Sequence, residues 1–198
     1  MLDLTLIDLT HHLAKPLNIT DTIRPHPTQP ITCIESPALI FRSERTIDKF
    51  PPDSFVKVAV ILELAHKKRQ ELIDDEDLEA AEEGAGVALR EGEIVILRTG
   101  WEKYSSNSRR YRIGFPTLSK NAVDYLLFKR ISGVGVDSPN IDQDRKLSAH
   151  RALLREGVLV IENLCNLDSL DESRFQLIAL PLKLRAGRSP ARVIGILG

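Results

Sequence analysis

Two residues in the last third of the chain have side chains that could bind a divalent cation together. His150 opens a segment that reads as a short helix, and Glu162 ends the apolar strand that follows it. A helix from His150 to Glu156 rises about 9 Å at ~1.5 Å per residue, and a strand from Val158 to Glu162 covers about 13 Å at ~3.3 Å per residue. If the two run in opposite directions, the imidazole and the carboxylate return to the same end of the unit. There they could share a metal ion, or form an ion pair or a helix cap without one.

Four more side chains near the start of the chain are of types that bind zinc. They are His11, His26, Cys33 and Glu35. Their spacing matches no recognisable ligand pattern, so each also has a structural interpretation. His11 would make a hydrogen bond at a strand end, with His12 exposed; His26 would be an exposed loop residue. Cys33 would be a buried thiol, and Glu35 would be solvated.

Two further residues follow apolar strands, where α/β proteins often place functional groups. Trp101 could line a pocket for an aromatic substrate, or it could pack against the domain or a partner subunit. Asp137 could orient a neighbouring group, or it could form a turn before Pro139.

Apolar periodicity predicts a single α/β domain over residues 1–198 with a mixed sheet. The predicted strands are Leu2–Leu9, Ser54–Leu64, Glu93–Arg98, Ile131–Val136, Val158–Ile161, Phe175–Leu184 and Ala191–Leu197. The predicted helices are Asp75–Leu89, which Gly84 and Gly86 could end early, a helix from a Ser119 N-cap to Lys129, and Ala149–Glu156. Five prolines in residues 15–37 predict a rigid coil there and exclude regular helix and central strand.

Composition limits the functional classes. The net charge is −1, and Lys and Arg are dispersed among acids, which argues against a nucleic-acid binder. No apolar run approaches the ~18 residues that span a bilayer, and no basic leader precedes the first strand. The two cysteines, Cys33 and Cys165, form no disulfide framework or zinc ribbon. We therefore expect a cytoplasmic protein.

Several motifs, in order, resemble the cyclase family of metal-dependent hydrolases, which includes the kynurenine formamidases. The stretch from His150 to Leu167 resembles the family's HRxLLxxGxxxxENLxNL pattern, and residues 7–11 resemble its opening IDLSH. Residues 97–101 are similar to LLRTGW, and residues 135–139 to GIDTPS. The segments 180–184 and 189–192 resemble the closing LPLKI and GSPVR.

The resemblance implies a mixed-sheet swivelling β/β/α-type domain that assembles as a homodimer or a higher homo-oligomer. It also implies hydrolysis of a formamide or related amide with one or two divalent ions, zinc or manganese. The ligands would come from an HxGTHxDxPxH motif and from a later His and Glu, which correspond to His150 and Glu162. The last His of the motif would be the general acid/base.

The early motif is missing from this chain. Matching Phe41 to the residue that follows the motif puts Ile34 and Ser36 at ligand positions and Ile40 at the acid/base position. Isoleucine can neither coordinate an ion nor accept a proton. The sequence therefore favours a non-catalytic relative that binds no metal, or binds it weakly, and that keeps the scaffold for assembly or for a small-molecule ligand. The alternative is a hydrolase with a partial or rebuilt metal site; no catalytic residue is assigned.

Overall fold

We analysed a computed structural model of the chain, which describes residues 4–12, 30–142, 144 and 146–198. His26 and most of the proline-rich segment lie outside these residues. The strands are β1 (Thr5–Asp8), β2 (Cys33–Glu35), β3 (Val56–Glu63), β4 (Leu72–Ile73), β5 (Ile94–Arg98), β6 (Thr117–Leu118), β7 (Gly133–Val136), β8 (Leu159–Glu162), β9 (Arg174–Pro181) and β10 (Arg188–Leu197). The helices are α1 (Asp75–Ala85), α2 (Ser108–Tyr111), α3 (Lys120–Phe128) and α4 (Ser148–Arg155).

Eight strands form a mixed sheet in the order β1-β10-β2-β8-β7-β5-β3-β9, and β10 also pairs with β9. The strands β3, β5, β7 and β8 are parallel to one another, and the remaining pairs are antiparallel. Because residues 188–190 of β10 pair with β2 and residues 191–196 pair with β9, the sheet closes on itself. This confirms the predicted α/β class with a mixed sheet.

Strand alternation divides the apolar side chains between two cores. Ile34, Ile61, Ile96 and Ile161 belong to a cluster on the inner face of the closed sheet. The strand neighbours of Ile61, Ile96 and Ile161, with residues of α1, α3 and α4, form a second cluster on the outer face. Each of these strands therefore has one face toward each core. A polar side chain buried on either face needs a hydrogen-bond or ion-pair partner close by.

Most predicted elements are confirmed, and their ends have identifiable causes. Helix α1 ends at Ala85 because Gly86 takes up the left-handed conformation with φ of 65°, which glycine adopts without steric cost. Ser119 caps α3 as predicted, since its hydroxyl accepts a hydrogen bond from the Ala122 amide. Among the described residues, no helix is long and apolar enough to cross a lipid bilayer.

The predicted exclusion of a central strand from residues 15–37 is wrong at its end. Strand β2 covers Cys33–Glu35 and lies between β10 and β8. It is short enough to fit between Pro30 and Pro37, so neither proline interrupts its ladder. Strand β10 also begins at Arg188, three residues before the predicted start.

Gly187 allows the chain after β2 to approach the start of β10. A Cβ atom at this position would lie 2.1 Å from the Leu39 amide nitrogen and 2.5 Å from the Ala38 carbonyl carbon. The Ser36 amide also donates to the Gly187 carbonyl at 2.8 Å. Because the colliding atoms are backbone, they cannot move aside by a rotamer change.

We predict that Gly187→Ala lowers the free energy of unfolding by at least about 1–3 kcal/mol, the cost typical of overpacking. The matched control is Gly84→Ala in α1, where nothing lies within 4 Å of the added methyl group. The control should stabilise the protein by about 0.5–1 kcal/mol, since alanine is the better helix former. Urea denaturation of both variants measures the difference, and equal effects would contradict the close approach.

Candidate functional site

Three strands and one helix bring together five side chains: His150, Glu162, Glu35, Cys33 and Arg188. His150 lies on α4, Glu162 ends β8, and Arg188 begins β10. In the β2 ladders, Arg188 is directly opposite Glu35 and Glu162 is directly opposite Cys33. Directly opposed residues share a face of the sheet, so the four strand residues point toward α4 together.

Each glutamate contacts both cationic side chains. In Glu35, Oε2 lies 2.9 Å from His150 Nε2 and Oε1 lies 3.3 Å from Arg188 Nε. In Glu162, Oε1 lies 3.4 Å from His150 Nε2 and Oε2 lies 3.0 Å from Arg188 Nη2. We call this arrangement the charge ring: two carboxylates alternating with an imidazole and a guanidinium.

Asp142 fixes the orientation of the imidazole. Its Oδ2 lies 2.7 Å from His150 Nδ1, and its two oxygens accept hydrogen bonds from the Ala149 and His150 amides at 2.8 and 3.0 Å. These amides belong to the first turn of α4, where a carboxylate is favoured by the unpaired N–H groups. The contact assigns a proton to Nδ1 and directs Nε2 at the two glutamates.

Burial and neighbouring charges together set the ionisation of the ring, in which both glutamates and His150 are at most 2% exposed. Burial by itself would lower the pKa of His150, but the contacts with Asp142, Glu162 and Glu35 outweigh it and raise this pKa well above its usual value. Burial, and then the charge of Glu35, raise the pKa of Glu162 to about 7. For Glu35, burial is outweighed by His150 and Arg188, which lower its pKa.

Cys33 adds a thiol to the ring. Burial raises its pKa to about 12, although Arg188 Nε donates a hydrogen bond to the sulfur at 3.0 Å. The sulfur therefore stays protonated at neutral pH in this arrangement. Cys33 is also fully buried, as the structural interpretation of the sequence expected.

The donor set is chemically suited to a metal ion, but the ring already contains a cation. Ligand atoms of Cys33, Glu35 and Glu162 lie within 4.8 Å of one another, and thiolate and carboxylate both bind zinc. The Arg188 guanidinium contacts the same three groups at 3.0, 3.3 and 3.0 Å. A divalent ion bonded to them at about 2.0–2.3 Å would lie against this fixed positive charge. In this conformation the residues fit a guanidinium and not a metal ion.

The sequence match at Phe41 gives the wrong register for this segment. It puts Ile34 and Ser36 at ligand positions, yet Ile34 packs in the inner core, whereas Cys33 and Glu35 face His150. A shift of one residue aligns Cys33, Glu35 and Pro37 with the His, Asp and Pro of HxDxP. The expectation that Glu35 is solvated is also wrong, since it is 2% exposed.

The other predicted residues lie elsewhere or outside the described part. The His11 amide donates to Thr32 Oγ1 at 2.9 Å, and its ring lies edge-on to Tyr111. Burial lowers the pKa of His11 to about 4, so the ring is neutral. His12 is exposed, as expected. The position of His26 falls among the undescribed residues.

Trp101 and Asp137 serve a separate cluster. Trp101 is buried against Tyr104 and Phe115, and its indole N–H donates to the Tyr111 carbonyl at 2.8 Å. Asp137 accepts hydrogen bonds from the Thr99 and Trp101 amides. It therefore joins the ends of β5 and β7, and in the described part of the chain it forms no hydrogen bond or ion pair with the charge ring.

Sequence reasoning missed Arg188, although a signal was present. The closing GSPVR pattern has glycine immediately before Ser189, and this chain has Arg188 there. Where the family pattern has glycine, this chain has arginine, which adds a large side chain and a positive charge at that position. The sequence alone does not show that β10 pairs with β2, and only this pairing places Arg188 beside Glu35.

Comparisons with known proteins agree on one family. A family model described as Putative cyclase matches residues 7–143. The kynurenine formamidase of Polaromonas naphthalenivorans is 39% identical over 103 residues, 50% of this chain and 44% of that protein. The kynurenine formamidase of Bacillus cytotoxicus is 34% identical over 105 residues, 52% and 48% of the two chains. The chain thus spans about half the length of the curated relatives it matches.

Solved structures share the fold. Isatin hydrolase A from Ralstonia solanacearum superposes with a TM-score of 0.84 at 20% identity, covering 99% of this chain and 93% of that one. A structure described as a predicted metal-dependent hydrolase from Bacillus stearothermophilus gives 0.75 at 22% identity, covering 98% of each chain. At these identities the likeness establishes the architecture alone.

The raised pKa values of Glu162 and His150 predict that stability falls as pH rises. Between pH 4.5 and about 7 the folded chain holds a proton on Glu162 that the unfolded chain has lost, and His150 acts in the same direction above 6.5. Each extra proton in the folded state contributes a slope of about 1.4 kcal/mol per pH unit.

We expect Glu162→Gln to flatten the pH dependence of unfolding between pH 5 and 7, because an amide cannot titrate. Burial also raises the pKa of Glu102 to about 7. Glu102 adds the same slope to the wild type and to Glu162→Gln, so it does not affect the difference between their slopes. Exposed Glu79 provides the control: Glu79→Gln should keep the wild-type slope. Denaturant midpoints measured across this range test the prediction, and an unchanged slope in Glu162→Gln would contradict it.

Proposed function

Because this chain belongs to the putative cyclase family, whose model matches residues 7–143, we propose that it is a member without formamidase activity. In this proposal Arg188 supplies the positive charge that a divalent metal would supply in a metal-dependent relative. The observation that carries it is the guanidinium in contact with Cys33, Glu35 and Glu162. The scaffold then serves binding or assembly. We also still predict that the protein is a single domain, that it forms a homo-oligomer and that it is cytoplasmic.

The charge balance of the ring supports a metal-free site. Two glutamates and Asp142 face two cations, His150 and Arg188. Because the pKa of Glu162 is raised to about 7, this carboxyl is partly protonated near neutral pH and the summed charge is less than one negative unit. A metal ion is therefore not needed to neutralise the buried carboxylates. Arginine is suited to this position because its guanidinium stays charged and presents several donors in one plane.

The position of the family's acid/base supports the same conclusion. With the register set by Cys33, Glu35 and Pro37, the last His of HxDxPxH corresponds to Leu39. Leu39 and Ile40 are both partly buried against the outer core, and neither side chain can transfer a proton. General acid/base catalysis typically contributes about 10²–10⁴ in rate, so its loss would remove most formamidase turnover.

A second candidate function is a metal-dependent hydrolase with a rebuilt site. The observation that favours it concerns Glu35 Oε2 and Glu162 Oε1, which are buried and receive no well-aligned hydrogen bond from any described residue. Both oxygens lie beside His150 Nε2, an arrangement that a shared ion would satisfy. Arg188 would have to leave the ring for Cys33 to join them as a ligand.

Metal analysis and an activity assay separate the two candidates. The purified protein should contain far less than one zinc or manganese ion per chain, and it should not hydrolyse N-formylkynurenine when either metal is added. Stoichiometric metal that disappears in Cys33→Ala and His150→Ala variants would overturn the proposal in favour of the rebuilt site.

Arg188→Gly should turn the ring into a zinc-binding site. Removing one partner of a buried ion pair typically costs about 3–5 kcal/mol, so we expect the metal-free variant to lose about that much stability. Added zinc should restore part of it, because a ligand that binds only the folded state stabilises that state. Thermal unfolding with and without zinc measures both effects.

Arg192→Gly is the matched control for this variant. Arg192 lies on the same strand but is exposed and pairs with Asp8 at 2.7 Å, so its replacement should cost about 1–2 kcal/mol, from the lost surface ion pair and from glycine within a strand. Zinc should not stabilise the control or the wild type. Equal zinc stabilisation of the wild type and Arg188→Gly would show that the guanidinium does not occupy the cation position.

A further inference from the structure

A second cavity, away from the charge ring, is lined by basic side chains. It has a volume of about 560 Å³ and lies between the turn after β3 and the segment after β5. We call it the basic cleft. Its lining includes six lysines and arginines and no aspartate or glutamate: Lys67, Lys68, Arg69, Lys103, Arg109 and Arg110. In a chain with a net charge of −1, this is a marked concentration of one sign.

Most of these cations have no carboxylate to neutralise them. Lys67 Nζ pairs with Asp77 at 2.7 Å. For the other five, no aspartate or glutamate lies within ion-pair distance among the residues the structure describes. Five of the six cations are exposed, and like charges that line one concave site raise the positive potential there and attract anions. The repulsion among them is relieved when an anion binds.

An aromatic group holds one wall in place. The Arg110 guanidinium lies 3.9 Å from the centre of the Tyr104 ring, and Lys103 Nζ lies 5.3 Å from it. The Tyr104 ring packs edge-on against Trp101, with their centres 4.8 Å apart, and Trp101 is anchored through its indole N–H. The two cations therefore contact a partly buried ring that packs on the buried Trp101, and this contact reduces the side-chain conformational entropy that is lost when a ligand binds.

We propose that the basic cleft binds a small-molecule anion that carries one or more phosphate groups. Arginine matches the geometry of phosphate oxygens through paired N–H donors, and Arg109 with Arg110 offers two guanidiniums from one helix. Lys68 and Arg69 provide charge from the opposite wall. The volume is typical of a small-ligand pocket.

The shape of the site favours a small molecule over a nucleic acid. The six cations line one cavity of about 560 Å³ in a chain whose net charge is −1, whereas a nucleic-acid-binding domain usually carries an overall basic excess in a larger patch or stripe. None of the charge-ring residues lines the cleft. The proposal is therefore independent of whether the charge ring holds a metal ion.

Calorimetric titration with pyrophosphate and with adenosine 5′-monophosphate tests the proposal at low salt. We expect the wild-type protein to bind at least one of them with one site per chain. The double variant Arg109→Ala/Arg110→Ala, and separately Lys68→Ala from the opposite wall, should each weaken binding by about tenfold or more, the loss typical for a charged hydrogen bond. Binding should also weaken as salt is added, since exposed charges are screened.

The control variant Arg42→Ala/Lys183→Ala removes two exposed positive charges outside the cleft and should bind as the wild type does. Circular dichroism of every variant checks that folding is preserved. Equal weakening in the control would show that net charge alone attracts the anion, and no binding by the wild type would also overturn the proposal. Tighter binding of a short single-stranded RNA, lost in the same variants, would identify a different class of ligand.

Discussion

The structure depends on two buried glutamates that are each shared between an imidazole and a guanidinium. Transferring a carboxylate from water to a protein interior costs several kcal/mol, and Glu35 and Glu162 are both almost fully buried. The charge ring offsets that cost because each carboxylate uses one oxygen toward His150 and the other toward Arg188. Asp142 supplies the third negative charge and keeps the imidazole in place. The raised pKa of Glu162 shows that the compensation is incomplete, because the ring favours a proton there.

The closed sheet is what allows these groups to meet. Strand β2 is hydrogen-bonded on one side to β10 and on the other to β8, so one short strand places Arg188 and Glu162 on either side of Glu35. Alternation along the strand then sends Ile34 into the inner core while Cys33 and Glu35 face α4. Gly187 completes the arrangement by letting the chain after β2 come close to β10 immediately before Arg188.

The features that could be predicted from the sequence are those that depend on local residue patterns or on residues close together in the chain. The helix caps at Ser119 and Gly86 and most of the strands follow from propensity and periodicity. The meeting of His150 and Glu162 follows from the lengths of one helix and one strand. Arg188 and Glu35 could not be placed in this way, because they are far apart in the chain and meet only through a long-range ladder. Register was the other obstacle: a slip of one residue moves every side chain to the opposite face, and the match at Phe41 contained that slip.

The mutual dependence of the charge ring has an evolutionary consequence. Losing Arg188, His150 or either glutamate alone leaves the remaining buried charges with fewer partners, so a lineage can change these positions only through costly intermediates or through coordinated substitutions. Once arginine occupies position 188, its contacts with Cys33, Glu35 and Glu162 make its later replacement costly. Ancestral reconstruction of this site should therefore find positions 33, 35 and 188 exchanging as a set, with glycine at 188 accompanied by a different residue at 33 or 35.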